Sequence, residues 1–193
     1  MKPDTDLIPT PSQTVGPFFQ IELTTDEHCV RCIAGPGATG ERVWITFRVF
    51  DGDGAPIDDA MLEIWQADSQ GKYNHPDDPQ PTDPDEGWVG FGRLATGGDG
   101  SCLLETIRPG CVRYNGVQAP HLTVAVFARG MLKQLYTRLY FAGDPANDQD
   151  PVLSHVPAER RETLMAKPSA ERPGHWHFDI RLQGDQETVF FDV

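Results

Sequence analysis

Alternating hydrophobic and polar positions predict that this chain is built mainly from short β-strands. In the segment 43–49 (VWITFRV), every second residue is Val, Ile or Phe, and the intervening positions hold Trp, Thr and Arg. Successive side chains of a strand point to opposite faces, so this pattern is typical of a half-buried strand. Strands are also predicted at 61–67, 102–107, 121–128, 134–141, 175–182 and 187–193.

Turn and breaker residues divide these segments and indicate the fold class. The chain contains 17 prolines and 19 glycines, and it carries a tight-turn sequence at 51–54 (DGDG) and a proline-broken acidic loop at 77–86. One short helix is predicted at 157–167, with Pro157 in its first turn. Many short strands separated by turns predict an all-β fold, a single-domain β-sandwich with one short helix and long loops. No repeat or linker is visible, so residues 1–193 are expected to form that one domain.

Composition limits the classes of partner. The net charge is −13, spread along the chain, so we expect neither nucleic-acid binding nor attachment to an anionic membrane. The N-terminal segment has no apolar region typical of a signal peptide, and no apolar run has the length of a transmembrane helix, which favours a cytoplasmic location. If so acidic a protein handles an anionic small molecule, it needs a well-placed Arg or Lys.

Two short motifs could be metal or redox sites. Cys29 and Cys32 have C-x-x-C spacing, which suits a redox dithiol or half of a zinc site, but no second pair and no following helix support either. We expect reduced, structural thiols. His175 and His177 share one strand face and resemble half of a metal site. Their alternation with large apolar residues up to Leu182 instead indicates the polar outer face of a half-buried strand.

The N-terminal segment 10–19 (TPSQTVGPFF) has neither helical nor strand periodicity and predicts a stiff, extended arm over residues 1–20. This segment resembles the N-terminal signature of the intradiol ring-cleavage dioxygenases. The resemblance continues in the same order over nearly the whole chain, through LEIWQADSQGKY (62–73), FGRLAT (91–96), TIRPG (106–110), APHLTVAVFARG (119–130), LYTRLYFAGD (135–144), RRETLMAK (160–167) and GDQETVFFDV (184–193).

The resemblance implies a fold and a type of active site. Members with an active site hold a non-haem Fe(III) ion with two Tyr and two His, a donor set that suits this hard cation. The four corresponding positions here are Tyr73, Val112, His121 and Thr123, so two of the four donors are lost. The resemblance therefore implies that no metal is bound and that no catalytic residue lies in this chain.

The resemblance also implies a partner. Members that act on protocatechuate pair a smaller α chain, which this sequence resembles, with a homologous β chain in a large hetero-oligomer. The β chain would bind Fe(III) and use O₂ to open protocatechuate to 3-carboxy-cis,cis-muconate in aromatic catabolism, by the β-ketoadipate pathway. This chain would help to line the β chain's substrate pocket, with Arg129 close to the substrate carboxylate. The residues implied in that role are Thr14, Gly16, Pro17 and Arg129.

Alternatives remain open from the sequence alone. The chain could be a self-sufficient intradiol enzyme that holds iron with Tyr73, Tyr114, His175 and His177. It could instead be a β-sandwich module that assembles without catalysis. Arg129 could make an ordinary surface ion pair. Tyr73 and the remaining His of the lost site are expected to be packed or hydrogen-bonded within the chain.

Overall fold

The computed structural model describes residues 11–16, 18–78 and 87–192. These described residues form one α-helix, α1, three 3₁₀ helices and ten strands. The α-helix spans Phe18–Leu23, and the 3₁₀ helices span Pro145–Gln149, Leu153–His155 and Ala158–Leu164. The strands are β1 (Arg42–Phe50), β2 (Met61–Gln66), β3 (Phe91–Ala95), β4 (Ser101–Ile107), β5 (Val112–Arg113), β6 (Val117–Gln118), β7 (His121–Phe127), β8 (Leu135–Phe141), β9 (Met165–Pro168) and β10 (His175–Arg181).

Eight of these strands form one sheet, in the order β3-β2-β7-β8-β9-β10-β1-β4. The half that runs from β3 to β8 is antiparallel, and β8 joins β9 in parallel. In the other half, β1 pairs with β10 in parallel and with β4 antiparallel. Strands β5 and β6 form a separate hairpin. The all-β prediction is confirmed, and the two layers of the sandwich are parts of one continuous sheet.

The segment that precedes β1 connects the two ends of this sheet. Val30 forms a bridge with Arg93 of β3, and Cys32 forms a bridge with Glu105 of β4. At the first bridge, Val30 and Arg93 exchange two backbone hydrogen bonds of 2.9 and 3.1 Å. At the second, the Ile33 N–H donates to the Glu105 carbonyl at 3.1 Å, and the Glu105 N–H donates to the Arg31 carbonyl at 2.8 Å. The C-x-x-C segment therefore closes the sheet, and all four cysteines are free thiols.

The hydrophobic core lies between the two halves of the sheet. Its largest buried side chains include Phe47 and Phe178, whose rings meet edge to face at 6.0 Å. Strand β8 is buried on both faces, because Leu139 and Phe141 enter this core while Tyr140 enters a second cluster. That second cluster packs under the 3₁₀ helices through Leu153 and other apolar residues. Full burial of an apolar side chain of this size contributes about 2 kcal/mol.

Most predicted strands are confirmed, but three expectations about local structure differ from the structure. The predicted helix at 157–167 is a 3₁₀ helix over Ala158–Leu164, and its last residues belong to β9. Within its described residues, 187–192, the predicted strand at 187–193 makes one isolated bridge, from Phe191 to Tyr136. The arm is not extended throughout, since α1 begins at Phe18. Strand β3, the short β5–β6 hairpin and β9 were not predicted from the sequence.

Parts of the predicted arm and of the acidic loop lie outside the described residues, namely 1–10, Pro17 and 79–86. Within the described residues, no helix is long and apolar enough to cross a membrane.

A close backbone contact fixes the loop after β2 against the loop after β4. Gly71 has a φ of +83°, and a Cβ added there would lie 1.9 Å from the carbonyl oxygen of Cys111. The Asp68 carboxylate holds this turn by accepting hydrogen bonds from the N–H groups of Gln70 (2.8 Å) and Lys72 (2.9 Å). Only glycine fits such a position, because both the backbone angle and the approach exclude a side chain. The contact places Tyr73 beside Val112.

Gly71→Ala should therefore lower the free energy of unfolding by more than about 2 kcal/mol, because the left-handed backbone and the clash with a backbone oxygen both oppose a Cβ. Urea denaturation of the isolated chain measures this change. Gly98→Ala is the matched control, since φ is not positive there and no described atom lies within 4 Å of the added Cβ. Equal stability of the two variants would contradict this account of the loop.

Candidate functional site

Tyr73 and His121, the two remaining donors of the implied iron site, lie next to each other. The Tyr73 ring stacks on Trp65 of β2, with centroids 5.9 Å apart and planes 5° apart. Its hydroxyl lies 3.4 Å from Nε2 of His121, at the start of β7. The expectation that these two side chains would be packed or hydrogen-bonded within the chain is confirmed.

The second ring nitrogen of His121 determines which group donates in this contact. Nδ1 lies 2.7 Å from the carbonyl oxygen of Ala119, which can only accept, so Nδ1 carries the proton. Nε2 of the neutral ring is then an acceptor, and the Tyr73 hydroxyl donates to it. The Tyr73 hydroxyl and the His121 Nε2 atom are thus each other's hydrogen-bond partner.

The other two positions carry no metal donor of the implied kind. Val112 is buried at the start of β5. Thr123 lies on β7 between Trp65 of β2 and Arg138 of β8, its register partners on either side. A valine offers no lone pair, and a threonine hydroxyl is a weak substitute for an imidazole.

Arg138 brings a positive charge to this site. Strand register places it opposite Thr123, and Tyr140 opposite His121, so these four side chains share one face of the sheet. Arg138 Nη1 donates to Gln118 Oε1 at 2.8 Å and to the Tyr140 hydroxyl oxygen at 3.3 Å. The Tyr140 hydroxyl in turn donates to the buried carboxylate of Asp150 at 3.2 Å. The guanidinium is therefore part of an internal hydrogen-bond network.

Burial and this charge set the protonation of both remaining donors. Burial lowers the pKa of the His121 imidazole to about 4, and the Arg138 charge acts in the same direction. Burial raises the pKa of the Tyr73 phenol above its ordinary value, although Arg138 opposes that shift. Both side chains are therefore neutral at pH 7.

The alternative ligand set is not assembled. Tyr73 and Tyr114 line a mainly apolar cavity of about 390 Å³, whereas His177 lines a separate polar groove with Arg48. His175 is stacked on Trp44, with ring centroids 5.1 Å apart. Within the described ranges, no group of three or more His, Cys, Asp or Glu side chains is placed to hold a metal ion.

The strand of His175 and His177 has the burial pattern that the sequence predicts. The apolar positions Phe178 and Ile180 are buried, while His177 is exposed and Asp179 is half-buried. Asp179 forms a bidentate ion pair with Arg48 of β1, with N···O distances of 2.8 and 3.0 Å. The prediction of a polar outer face is confirmed.

The described part of the arm meets the end of β7. The Gly130 N–H donates to Oγ1 of Thr14 at 2.9 Å, which ties the arm to the residue after Arg129. The Arg129 Nε donates to a carboxylate oxygen of Asp59, and its side chain is 62% exposed. Gly16 is exposed, and no described atom lies within 4 Å of the position that its Cβ would occupy. Three of the four implied pocket residues are thus described, and Thr14 and Arg129 are adjacent.

Sequence reasoning missed two functional candidates, Arg138 and Asp59. Arg138 interrupts the apolar run of a strand that is buried on both faces, and a charge in such a place is a signal that could have been noticed. Asp59 follows another Asp in a turn, and nothing in its sequence context distinguishes the two. Only the three-dimensional arrangement brings it to Arg129.

Comparison with known proteins identifies the family. The family model described as Dioxygenase matches residues 14–184. The chain is 44% identical to a protocatechuate 3,4-dioxygenase alpha chain from Burkholderia cepacia, over 98% of this chain and 100% of that one. The chain belongs to the intradiol dioxygenase family. A second alpha chain, from Pseudomonas putida, is 41% identical over 97% of this chain and 98% of the relative.

Other members of the family are more distant. A protocatechuate 3,4-dioxygenase beta chain from Burkholderia cepacia is 32% identical over 77% of this chain and 67% of its own length. Among solved structures, the dioxygenase domain of a carbohydrate-binding fusion protein from Streptomyces sp. SirexAA-E superposes with a TM-score of 0.62 at 26% identity, covering 83% of this chain and 89% of that one. The fold is therefore that of an intradiol dioxygenase.

His121 makes stability depend on pH. The unfolded chain takes up a proton near pH 6.5, but the folded chain does so only near pH 4, so stability is lost as pH falls through that window. Between pH 7 and pH 4.5, the wild type should lose about 2 to 3 kcal/mol more unfolding free energy than His121→Gln does. Urea denaturation of both proteins at the two pH values tests this, and parallel losses would contradict it.

Proposed function

We propose that this chain is the α subunit of a protocatechuate 3,4-dioxygenase and that it works only with a homologous β chain. The observation that carries the proposal is the near-complete match to two alpha chains, at 44% and 41% identity, compared with 32% identity over 77% of this chain for a beta chain. The reaction would be cleavage of protocatechuate by O₂ between its two hydroxyl-bearing carbons. We expect a cytoplasmic, large hetero-oligomer.

The Fe(III) ion of this proposal belongs to the β chain, because the residues of this chain do not fit it. Two of the four donor positions are Val112 and Thr123, and the remaining phenol and imidazole are hydrogen-bonded to each other. The Arg138 guanidinium shares their sheet face and adds a charge that repels a cation. The iron chemistry of ring opening would therefore be supplied by the partner chain.

The contribution of this chain would come from the arm and Arg129. The exposed guanidinium of Arg129 can bind the substrate carboxylate through parallel N–H···O bonds. Thr14 holds the arm against the residue after Arg129, so both would enter the partner's pocket together. This is the local cation that an acidic chain needs for an anionic substrate.

Gly16 supports the same proposal. Its backbone does not require glycine, because φ is not positive and no described atom of this chain lies near its missing Cβ. A glycine there leaves room for a molecule outside the chain, such as a substrate ring in the partner's pocket. Pro17, the fourth implied pocket residue, lies outside the described residues.

Arg129→Ala in the αβ complex should raise KM for protocatechuate by about 10- to 100-fold with little change in kcat, since it removes a hydrogen-bonded charge partner of the bound carboxylate. Steady-state kinetics measure both constants. Arg172→Ala is the control, because this exposed Arg lies outside the arm and its neighbours. An unchanged KM in the Arg129 variant would refute its substrate role.

The chain purified alone from iron-replete cells should contain far less than one iron per chain and show no visible tyrosinate-to-iron absorption band. The αβ complex from the same cells should contain both the iron and the band. Metal analysis and a visible spectrum measure this. A coloured lone chain with one iron would favour a self-sufficient enzyme and overturn the proposal.

A further inference from the structure

The carboxylate of Asp59 is the partner that the structure gives to Arg129. The Asp59 side chain is 13% exposed, whereas that of Arg129 is 62% exposed. The pair therefore consists of a nearly buried anion and a cation that extends into solvent. An exposed long side chain normally samples many rotamers, and a partner of this kind restricts it.

Asp59 is anchored on rigid backbone. The following residue, Ala60, exchanges three hydrogen bonds with Thr96: its N–H donates to Oγ1 at 2.9 Å, and its carbonyl accepts from the Thr96 N–H at 3.0 Å and from Oγ1 at 3.2 Å. Strand β2 then begins, and its first residue, Met61, pairs with Phe127 at the end of β7. Asp59 and Arg129 thus extend from two paired strand ends.

The geometry of the contact leaves the functional edge of the guanidinium open. Asp59 accepts from Nε, on the side of the planar group. Among the described residues, neither terminal nitrogen of Arg129 has a recorded hydrogen bond. A guanidinium carries five N–H donors, and its end-on pair of terminal nitrogens matches a carboxylate in two parallel bonds. Asp59 can therefore hold the group without occupying the edge that would meet a ligand.

We propose that Asp59 is a positioning residue, which holds Arg129 through Nε so that its two terminal nitrogens face the carboxylate of the substrate in the partner's pocket. The inference rests on the proposed function, in which Arg129 meets that carboxylate. The hydrogen bond from the Gly130 N–H to Thr14 fixes the backbone on the other side of Arg129. Side chain and main chain of this Arg are then both held before substrate binds, which lowers the entropy cost of binding.

The test uses the αβ complex, with protocatechuate and with catechol, which lacks the carboxylate. Asp59→Ala should raise KM for protocatechuate by about three- to tenfold, the loss of one orienting contact, with kcat nearly unchanged. Kinetics with catechol should not change. Asp59→Asn should restore a KM close to that of the wild type, because its amide oxygen can still accept from Nε.

Two further variants sharpen the test. In Asp59→Ala/Arg129→Ala, KM should be no higher than in Arg129→Ala alone, because the role of Asp59 acts through that Arg. Asp58→Ala, an exposed neighbour with the same charge, is the matched control and should leave KM unchanged. Thermal melting of each complex identifies any loss of assembly.

The outcomes separate the two proposals. If Arg129→Ala raises KM and Asp59→Ala does not, the positioning role is wrong and the proposed function stands. If both Asp59 variants lower KM, Asp59 competes with the substrate and the inference is overturned. Equal changes for protocatechuate and catechol would mean a purely structural ion pair, which also overturns it. If Arg129→Ala has no effect, the substrate role of Arg129 fails together with this inference.

Discussion

The closure of one eight-stranded sheet on itself is the constraint on which the rest of this structure depends. An open sheet of this length would leave β3 and β4 as edge strands with unpaired backbone groups. Bridges from Val30 to β3 and from Cys32 to β4 satisfy part of both edges with one extended segment. The two halves of the sheet are thereby held face to face, and their inward side chains share one core. The Tyr73–His121 pair and the contact between the arm and the residue after Arg129 both lie beside the antiparallel half of this sheet.

Tyr73 and His121, which the resemblance places at the family's iron centre, form an uncharged, hydrogen-bonded pair in this chain. A charged guanidinium can be retained there because Arg138 reaches Gln118 and Tyr140, and Tyr140 reaches Asp150. The Asp150 carboxylate also accepts backbone N–H groups from Ala119, Val152 and Leu153 at 2.7–2.8 Å. Such a network satisfies the buried charges, whereas removal of one partner would leave the other uncompensated. The interior thus supplies its own cation where other family members are implied to bind one.

Strands such as β1 and β10 could be predicted from the sequence, because burial of one face makes hydrophobic and polar residues alternate along the strand. The predictions failed where that alternation is absent. Strand β9 is only four residues long, and the end of the predicted 157–167 helix belongs to it, since tertiary pairing with β8 and β10 overrides local helix preference. The absence of two iron donors stays a prediction, which rests on Val112 and Thr123 at the positions that the family resemblance implies. The roles of Arg138 and Asp59 could not be predicted, because they depend on register and on contacts between strands distant in sequence.

Arg138 and Arg129 show how hydrogen-bond partners, rather than charge alone, decide what a cation can do. Both lie near the paired strands β7 and β8, and both carry the same group. Arg138 is half-buried, and it donates to neighbouring oxygens within the chain. Arg129 is mostly exposed, and among the described residues its side chain donates through Nε alone, which leaves its terminal nitrogens available to a ligand. On a surface with a net charge of −13, such a cation attracts an anion only if it is held apart from the many other carboxylates. A single anchored partner at Nε meets that condition, because it fixes the group and leaves its binding edge open.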